Sequence, residues 1–191
     1  MDSKIKKRYK KIEEKVRIVQ GDIFRNISFK VIGNNGEEII ISWKYVIVLT
    51  QDCDLKWDYE YRKSYIEGAS MDKFLQTILI CPAFNYEELC KGEHITDWKM
   101  RTFESSKKPS GGAKEKLINN DEFKRYHYLH DDIDLKIPSF VIDFKLFNTL
   151  PRDLLYSLDR ENYIGTVEEL FRESLIQRFT NFIGRIPLPE L

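Results

Sequence analysis

The sequence predicts an α+β fold: a small antiparallel β-barrel with a C-terminal helix and one helical and loop insertion. Three observations lead there. Residues 46–49 (VIVL) and 76–83 (QTILICPA) are almost uninterrupted apolar runs, as in strands buried on both faces or lining a small barrel. Residues 26–32 alternate apolar and polar, Gly33-Asn34-Asn35-Gly36 follows, and residues 38–42 resume, which is the pattern of an antiparallel hairpin. Near the C-terminus, Leu170, Phe171, Leu175, Phe179 and Phe182 recur at helical spacing and form one apolar stripe.

Bulk properties narrow the function classes. In 191 residues, 31 Lys plus Arg balance 31 Asp plus Glu, so the formal net charge is zero. A nucleic-acid surface must then be a local patch and not a global field. Three cysteines, Cys53, Cys81 and Cys90, lack the dense spacing of a disulfide scaffold, and no secretory leader follows the first Met. No apolar run approaches 18 residues. These features predict a cytoplasmic protein with no membrane partner. One domain is expected over residues 16–191, behind a basic arm at 1–15 and interrupted by an insertion at about 86–122.

Taken in order, the arm carries Lys4, Lys6, Lys7, Arg8, Lys10 and Lys11, suited either to binding phosphates or to a solvated helix. Residues 16–20 read as a first strand entering a bend at Gly21-Asp22. Lys44 leads directly into the central strand. That strand breaks at residues 50–54 (TQDCD) into a polar loop shaped by Asp52, Cys53 and Asp54, the kind of position where function gathers. Cys53 is placed as a nucleophile would be, but flanking carboxylates raise a thiol's pKa and suppress the thiolate, which favours a cysteine that fixes the loop.

Residues 56–66 interleave Trp57, Tyr59, Tyr61 and Tyr65 with Arg62 and Lys63. Such a loop either stacks single-stranded bases while holding their phosphates or packs its rings on the barrel. The strand at 76–83 has Thr77 at its head and Pro82 near its end. Within the insertion, short helices are expected at 86–91 and 96–103. A glycine-rich basic loop at 107–116 then brings Lys107 and Lys108 within reach of a polyanion or makes a surface excursion. Late strands are expected at 126–129 and 139–144. Thr166 and Glu169 form a capping box for a helix that ends at Gly184. Any surplus of that helix's apolar face would serve a dimer or partner contact.

Metal chemistry has two drawable sites. Cys90 and His94 lie four apart and His127, His130, Asp131 and Asp132 cluster later, but no CxxC pair supports zinc. Asp52 and Asp54 together suit Mg²⁺, although paired acids at a turn more often cap backbone amides. The expectation is no metal and no cofactor.

The order of these motifs resembles the MazF/PemK family. The resemblance rests on GDIF at 21–24, the hairpin, a basic residue before an apolar strand and Gln-Asp loop (Lys44 to Asp52), a Thr-led apolar strand (Thr77 to Cys81), a late VIDF strand and the terminal helix. It covers roughly residues 16–50, 74–83 and 139–184 and leaves the insertion unmatched. It implies an SH3-like barrel, a homodimer, and metal-free cleavage of single-stranded RNA in toxin members. Carried over, the family's phosphate-handling arginine falls on Lys44 and its hydroxyl on Thr77. Gln51 would read a base edge, with Arg62 and Lys63 supporting the RNA strand.

Lysine keeps the charge of the family's arginine but loses its planar two-point grip on a phosphate. Two readings therefore stand side by side. One is a toxin–antitoxin or antiviral-defence module that binds single-stranded RNA and, if active, is an endoribonuclease. The other is an inactive barrel that binds a protein, whether an antitoxin, a sigma factor or a protease. The second resembles the protease-cleaved, sigma-factor-holding subunits of CRISPR-linked signalling, the CalpT type.

Overall fold

Strand β2 (Asp22–Ile32) and strand β3 (Glu38–Val48) form the long hairpin that organises the fold. The computed structural model describes residues 7–13, 16–92, 94, 111–121 and 123–184. Gly21 turns the chain into β2 at φ 86°, a left-handed conformation that glycine reaches without the Cβ clash of other residues. The two segments expected at 38–42 and 46–49 are one continuous strand. It pairs with β2 from Glu38 opposite Ile32 to Ile47 opposite Ile23.

The remaining elements are β1 (Tyr9–Lys10), β4 (Thr77–Asn85), β5 (Tyr126–Leu129), β6 (Phe140–Asp143), β7 (Asn148–Pro151) and β8 (Tyr163–Val167). The α-helices of the described residues are α1 (Asp52–Lys63), α2 (Tyr86–Lys91), α3 (Gly111–Ile118), α4 (Arg152–Tyr156) and α5 (Glu169–Ile183). The eight-stranded sheet has the order β1-β8-β2-β3-β4-β6-β5, with β7 also on β4, and every strand ladder is antiparallel. Among the described residues the sheet does not close into the expected barrel, because the hydrogen-bonded path ends at β1 on one side and β5 on the other.

Alternation along the central strands explains their unbroken apolarity. Ile47, Leu49, Cys81 and Ala83 point to one face, where Leu175 and Phe179 of α5 cover them. Val46, Val48, Ile78 and Ile80 point to the other, beneath Leu55 of α1 and Leu155 of α4. Both faces are thus covered, and a strand between two apolar layers has no polar side to show. A third, smaller cluster joins Leu89 of α2 and Leu117 of α3 to Tyr126, Tyr128 and Val141.

Several expectations change at the level of elements. Residues 16–20 are not a strand, and part of the basic arm is one, since Tyr9 pairs with Val167. The polar loop at 50–54 and the aromatic stretch after it are the start and body of α1. The Thr166–Glu169 box does not cap α5. The helix starts at Glu169 behind Glu168 without a side-chain cap, and the Thr166 hydroxyl donates instead to buried Asp22 at 2.6 Å. Leu170, assigned to the apolar stripe, is exposed, while Gly184 does end the helix. The helical piece expected at 96–103 and residues Lys107 and Lys108 lie outside the described residues, and the described part of the expected glycine-rich loop, 111–116, belongs to helix α3. No described helix is long and apolar enough to cross a membrane.

Candidate functional site

The register of β3 on β4 fixes where the expected catalytic residues stand. Tyr45 lies opposite Ala83 and Val48 opposite Ile80, so Lys44 is level with Phe84, seven residues along β4 from Thr77. At about 3.3 Å per residue, the two are separated by roughly 23 Å. Both are exposed, Thr77 at the start of β4 and Lys44 on β3 beside the other end of β4. The expected meeting of ammonium and hydroxyl at one rim does not occur.

Each end has its own chemistry. Lys44 donates to Glu88 Oε1 of α2 at 3.0 Å, and this bond is the main reason its pKa is raised. It is held protonated, which suits an ion pair and opposes the deprotonated state a general base needs. At the other end, where β3 has ended, the Thr50 hydroxyl accepts from Leu79 N–H at 2.7 Å. Thr77 itself pairs with Pro151 of β7.

Gln51 is the N-cap residue of α1, with Asp52 and Asp54 in the first turn, where the helix dipole favours acids. Asp52 receives both Arg17 nitrogens at 2.9 Å. Burial alone raises its pKa, but the Arg17 fork outweighs burial and leaves it below the usual carboxylate range. Asp52 therefore fastens the loop before β2 to the first turn of α1. Cys53 is exposed, its thiol 3.6 Å from Gln51 Oε1 and 3.8 Å from Asp54 Oδ1, with no imidazole in contact.

Arg62 is not available to a nucleic acid. Its Nε donates to the buried Asp58 carboxylate at 2.6 Å and its Nη2 to the Leu75 carbonyl at 2.8 Å. Arg152 donates to the other Asp58 oxygen at 2.8 Å, and Leu75 N–H also bonds the carboxylate. This buried cluster ties α1 to α4 and to the segment before β4. Lys63 is exposed at the end of α1. Lys107 and Lys108 lie outside the described residues.

Sequence reasoning missed a groove beside β8 of about 760 Å³, whose walls carry Lys11, Arg25, Lys136 and Arg160 against Glu13 and Glu161. Arg25 is anchored by donating to the Glu161 carbonyl at 2.9 Å, and Arg160 donates to the Glu13 carbonyl. These bases come from far-separated parts of the chain, so no local motif could have announced them. The residues drawn into metal sites are not gathered either: among the described residues no three His, Cys, Asp or Glu side chains converge. His127 is buried in the α5 layer, and burial, aided by Arg178, pushes its pKa down to about 3. No family model and no curated protein matches this chain.

Proposed function

We propose that the chain is a MazF/PemK-like module of a prokaryotic toxin–antitoxin or antiviral-defence system that works by binding a partner protein, with its sheet an opened form of the SH3-like barrel. The observation that carries this reading is the separation of Lys44 from Thr77 along β4. Metal-free RNA cleavage needs a base for the 2′-hydroxyl and a cation on the same developing phosphorane, within hydrogen-bond reach of one phosphate. Groups roughly 23 Å apart cannot serve one phosphate. Lys44 is paired with Glu88 and Arg62 with Asp58, which leaves Lys63 as the exposed cation of that reading among the described residues. The protruding β2–β3 ribbon, with exposed Ile32, Ile39 and Ile40, offers apolar contact area of the kind protein partners use.

The groove bearing Lys11, Arg25, Lys136 and Arg160 favours a second reading, single-stranded RNA bound without cleavage. Two measurements test the proposal. Mixed single-stranded RNA incubated with wild type, Lys44→Ala and Thr77→Ala should stay intact in all three. Cleavage by the wild type that both variants lose would overturn the binding reading. Purification of the tagged chain from its native host should bring down a stoichiometric protein, and recovery of RNA alone would favour the second reading.

A further inference from the structure

A pocket of about 280 Å³ lies where β5, the turn after α3 and the first half of α5 meet, with Arg8 on its wall just before β1. Its other polar walls come from Asn119, His127, His130 and Ser174, and no Asp or Glu lines it. These residues are gathered by the way the outer edge of β5 is closed. That edge pairs with no further strand among the described residues, and Asn120 stands in for one. Its side-chain amide donates to the Tyr128 carbonyl at 2.9 Å and accepts from the Tyr128 N–H at 2.6 Å. Asn120 does so at φ 56°, a left-handed conformation that Asn tolerates better than most residues. Arg178 of α5 completes the edge by donating to the carbonyls of Asn120, Phe123 and Tyr126.

Two buried nitrogens are left over. His127 is 3% exposed and its Nδ1 has no hydrogen-bond partner, and neither has Nε of Arg178. A buried polar atom without a partner is costly, and native folds keep few of them. Arg178 lies close enough to His127 to oppose its protonation, so a positive charge stands behind a neutral ring. Arg8 brings a second charge, its guanidinium 5.4 Å from the centre of the Phe171 ring and in no ion pair among the described residues. The acids nearby are Asp121 beside Arg178 and Asp131 beside His130, and neither lines the pocket. Such a site favours an anion.

Volume and geometry choose among anions. One water takes up roughly 30 Å³ of liquid and would leave most of this pocket unfilled, while 280 Å³ is at the small end for a ligand site. The donors come from four separate parts of the chain. A tetrahedral oxyanion, whose oxygens face several ways, suits that shell better than a planar carboxylate. Ile118, Leu129 and Phe171 supply an apolar remainder that a bare ion would not cover. We propose that this pocket binds a small phosphate monoester, the phosphate against Arg8, Asn119 and Ser174 with His127 behind it, and the organic group on Ile118, Leu129 and Phe171. The proposal does not rest on the partner-protein reading, since no residue of the pocket belongs to the β2–β3 ribbon. A site of this size admits one phosphate group and not a length of nucleic acid.

Calorimetric titration of the full chain with phenyl phosphate, inorganic phosphate and benzoate tests it, together with long-range proton–nitrogen spectra of histidine-labelled protein. Phenyl phosphate should bind saturably at one site, at least about tenfold tighter than either inorganic phosphate or benzoate, and should shift the His127 ring nitrogens. Arg8→Gln should weaken it at least about tenfold and Ser174→Ala about threefold. Lys136→Gln, in the basic groove beside β8, should leave it unchanged. Ser174 is exposed and Arg8 half-buried, and thermal melts check that each variant stays folded. If Arg8→Gln melts early, Ser174→Ala carries the same test. Absence of saturable binding, equal affinity for benzoate or inorganic phosphate, unmoved His127 signals, folded variants at Arg8 and Ser174 that bind as wild type does, or a loss caused by Lys136→Gln would each overturn the proposal.

Discussion

Asp58→Asn should cost the fold about 3 to 5 kcal/mol, the usual range when one partner of a buried ion pair is removed. Asp58 is 1% exposed and accepts three hydrogen bonds, from Arg62 Nε at 2.6 Å, Arg152 Nε at 2.8 Å and Leu75 N at 2.9 Å. Asparagine preserves the shape but offers one acceptor oxygen and no charge, so it leaves a guanidinium facing an amide. Hydrogen bonds to a charged group contribute about 1.5 to 3 kcal/mol each, so three would sum to about 4.5 to 9 kcal/mol, mostly above the stated range. The sum is discounted because Arg62 and Arg152 keep 27% and 14% of their side-chain surface in water and regain part of their hydration. At about 2 to 4 °C per kcal/mol for a chain of this size, the melting temperature should fall by roughly 6 to 20 °C. Urea unfolding followed by circular dichroism gives the same quantity independently, with the midpoint shifted and the slope unchanged. A loss below about 1 kcal/mol would refute the assignment of this cluster as the fastening between α1 and α4.

Two further outcomes follow from buried groups. His127, with its pKa pushed down to about 3 by burial and then by Arg178, is neutral in the fold at pH values where the unfolded chain protonates it. The unfolded state therefore binds more protons between pH 6.5 and about 3, and stability falls as pH falls through that window. From pH 7 to pH 4 this group contributes a loss of at most about 3 kcal/mol, and His127→Phe should flatten that part of the pH–stability curve. An unchanged slope in the variant would place the acid sensitivity elsewhere. Thiol labelling of the native chain should modify exposed Cys53 first and leave Cys81 untouched, because Cys81 is fully buried, its pKa is raised by that burial, and its thiol donates to the Asp143 carbonyl at 3.1 Å. Labelling of Cys81 at the rate of Cys53 without denaturant would contradict the packing of β4 against β6.

How far the sequence can be read depends on whether a signal is local. The Gly33–Gly36 turn, the strand at Tyr126–Leu129 and the end of α5 at Gly184 each rest on neighbouring residues, and they stand as expected. Helix α1 was legible too, since Leu55, Asp58 and Arg62 follow one another at helical spacing on its inner side. The interleaved aromatics and bases drew the eye to the outer side. Thr166 and Glu169 show the opposite case: the capping pattern is intact, but a carboxylate 144 residues away claims the hydroxyl. Strand β8 interrupts its apolar run with Gly165, whose place is set by close approach to the Lys10 carbonyl and the Ile137 side chain. The spacing of Lys44 and Thr77 was not legible. It depends on β3 running eleven residues and handing over directly to a helix, which fixes the register on β4.

Among the described residues, three buried carboxylates tie the layers around the sheet together. Asp22 binds Thr166 and the Val19 N–H, Asp58 binds Arg62 and Arg152, and Asp143 takes a two-point grip from Arg125 at 2.6 and 2.5 Å. Each joins elements that are distant in the chain: the turn before β2 to β8, α1 to α4, and the turn before β5 to β6. Desolvating an ion pair returns little net stability compared with apolar residues of the same size, but leaving one partner alone is costly. A threading that parts the turn before β2 from β8, α1 from α4, or the turn before β5 from β6 would leave a carboxylate without its partner. An open sheet whose outer strands are short has several near-equivalent pairings if only apolar alternation decides, and the carboxylates help to separate them. On this argument Asp143→Leu with Arg125→Met should keep most of the stability that Asp143→Leu alone loses. The paired variant should nonetheless broaden the amide signals of β5 and β6, and sharp, unshifted signals there would remove the selecting role.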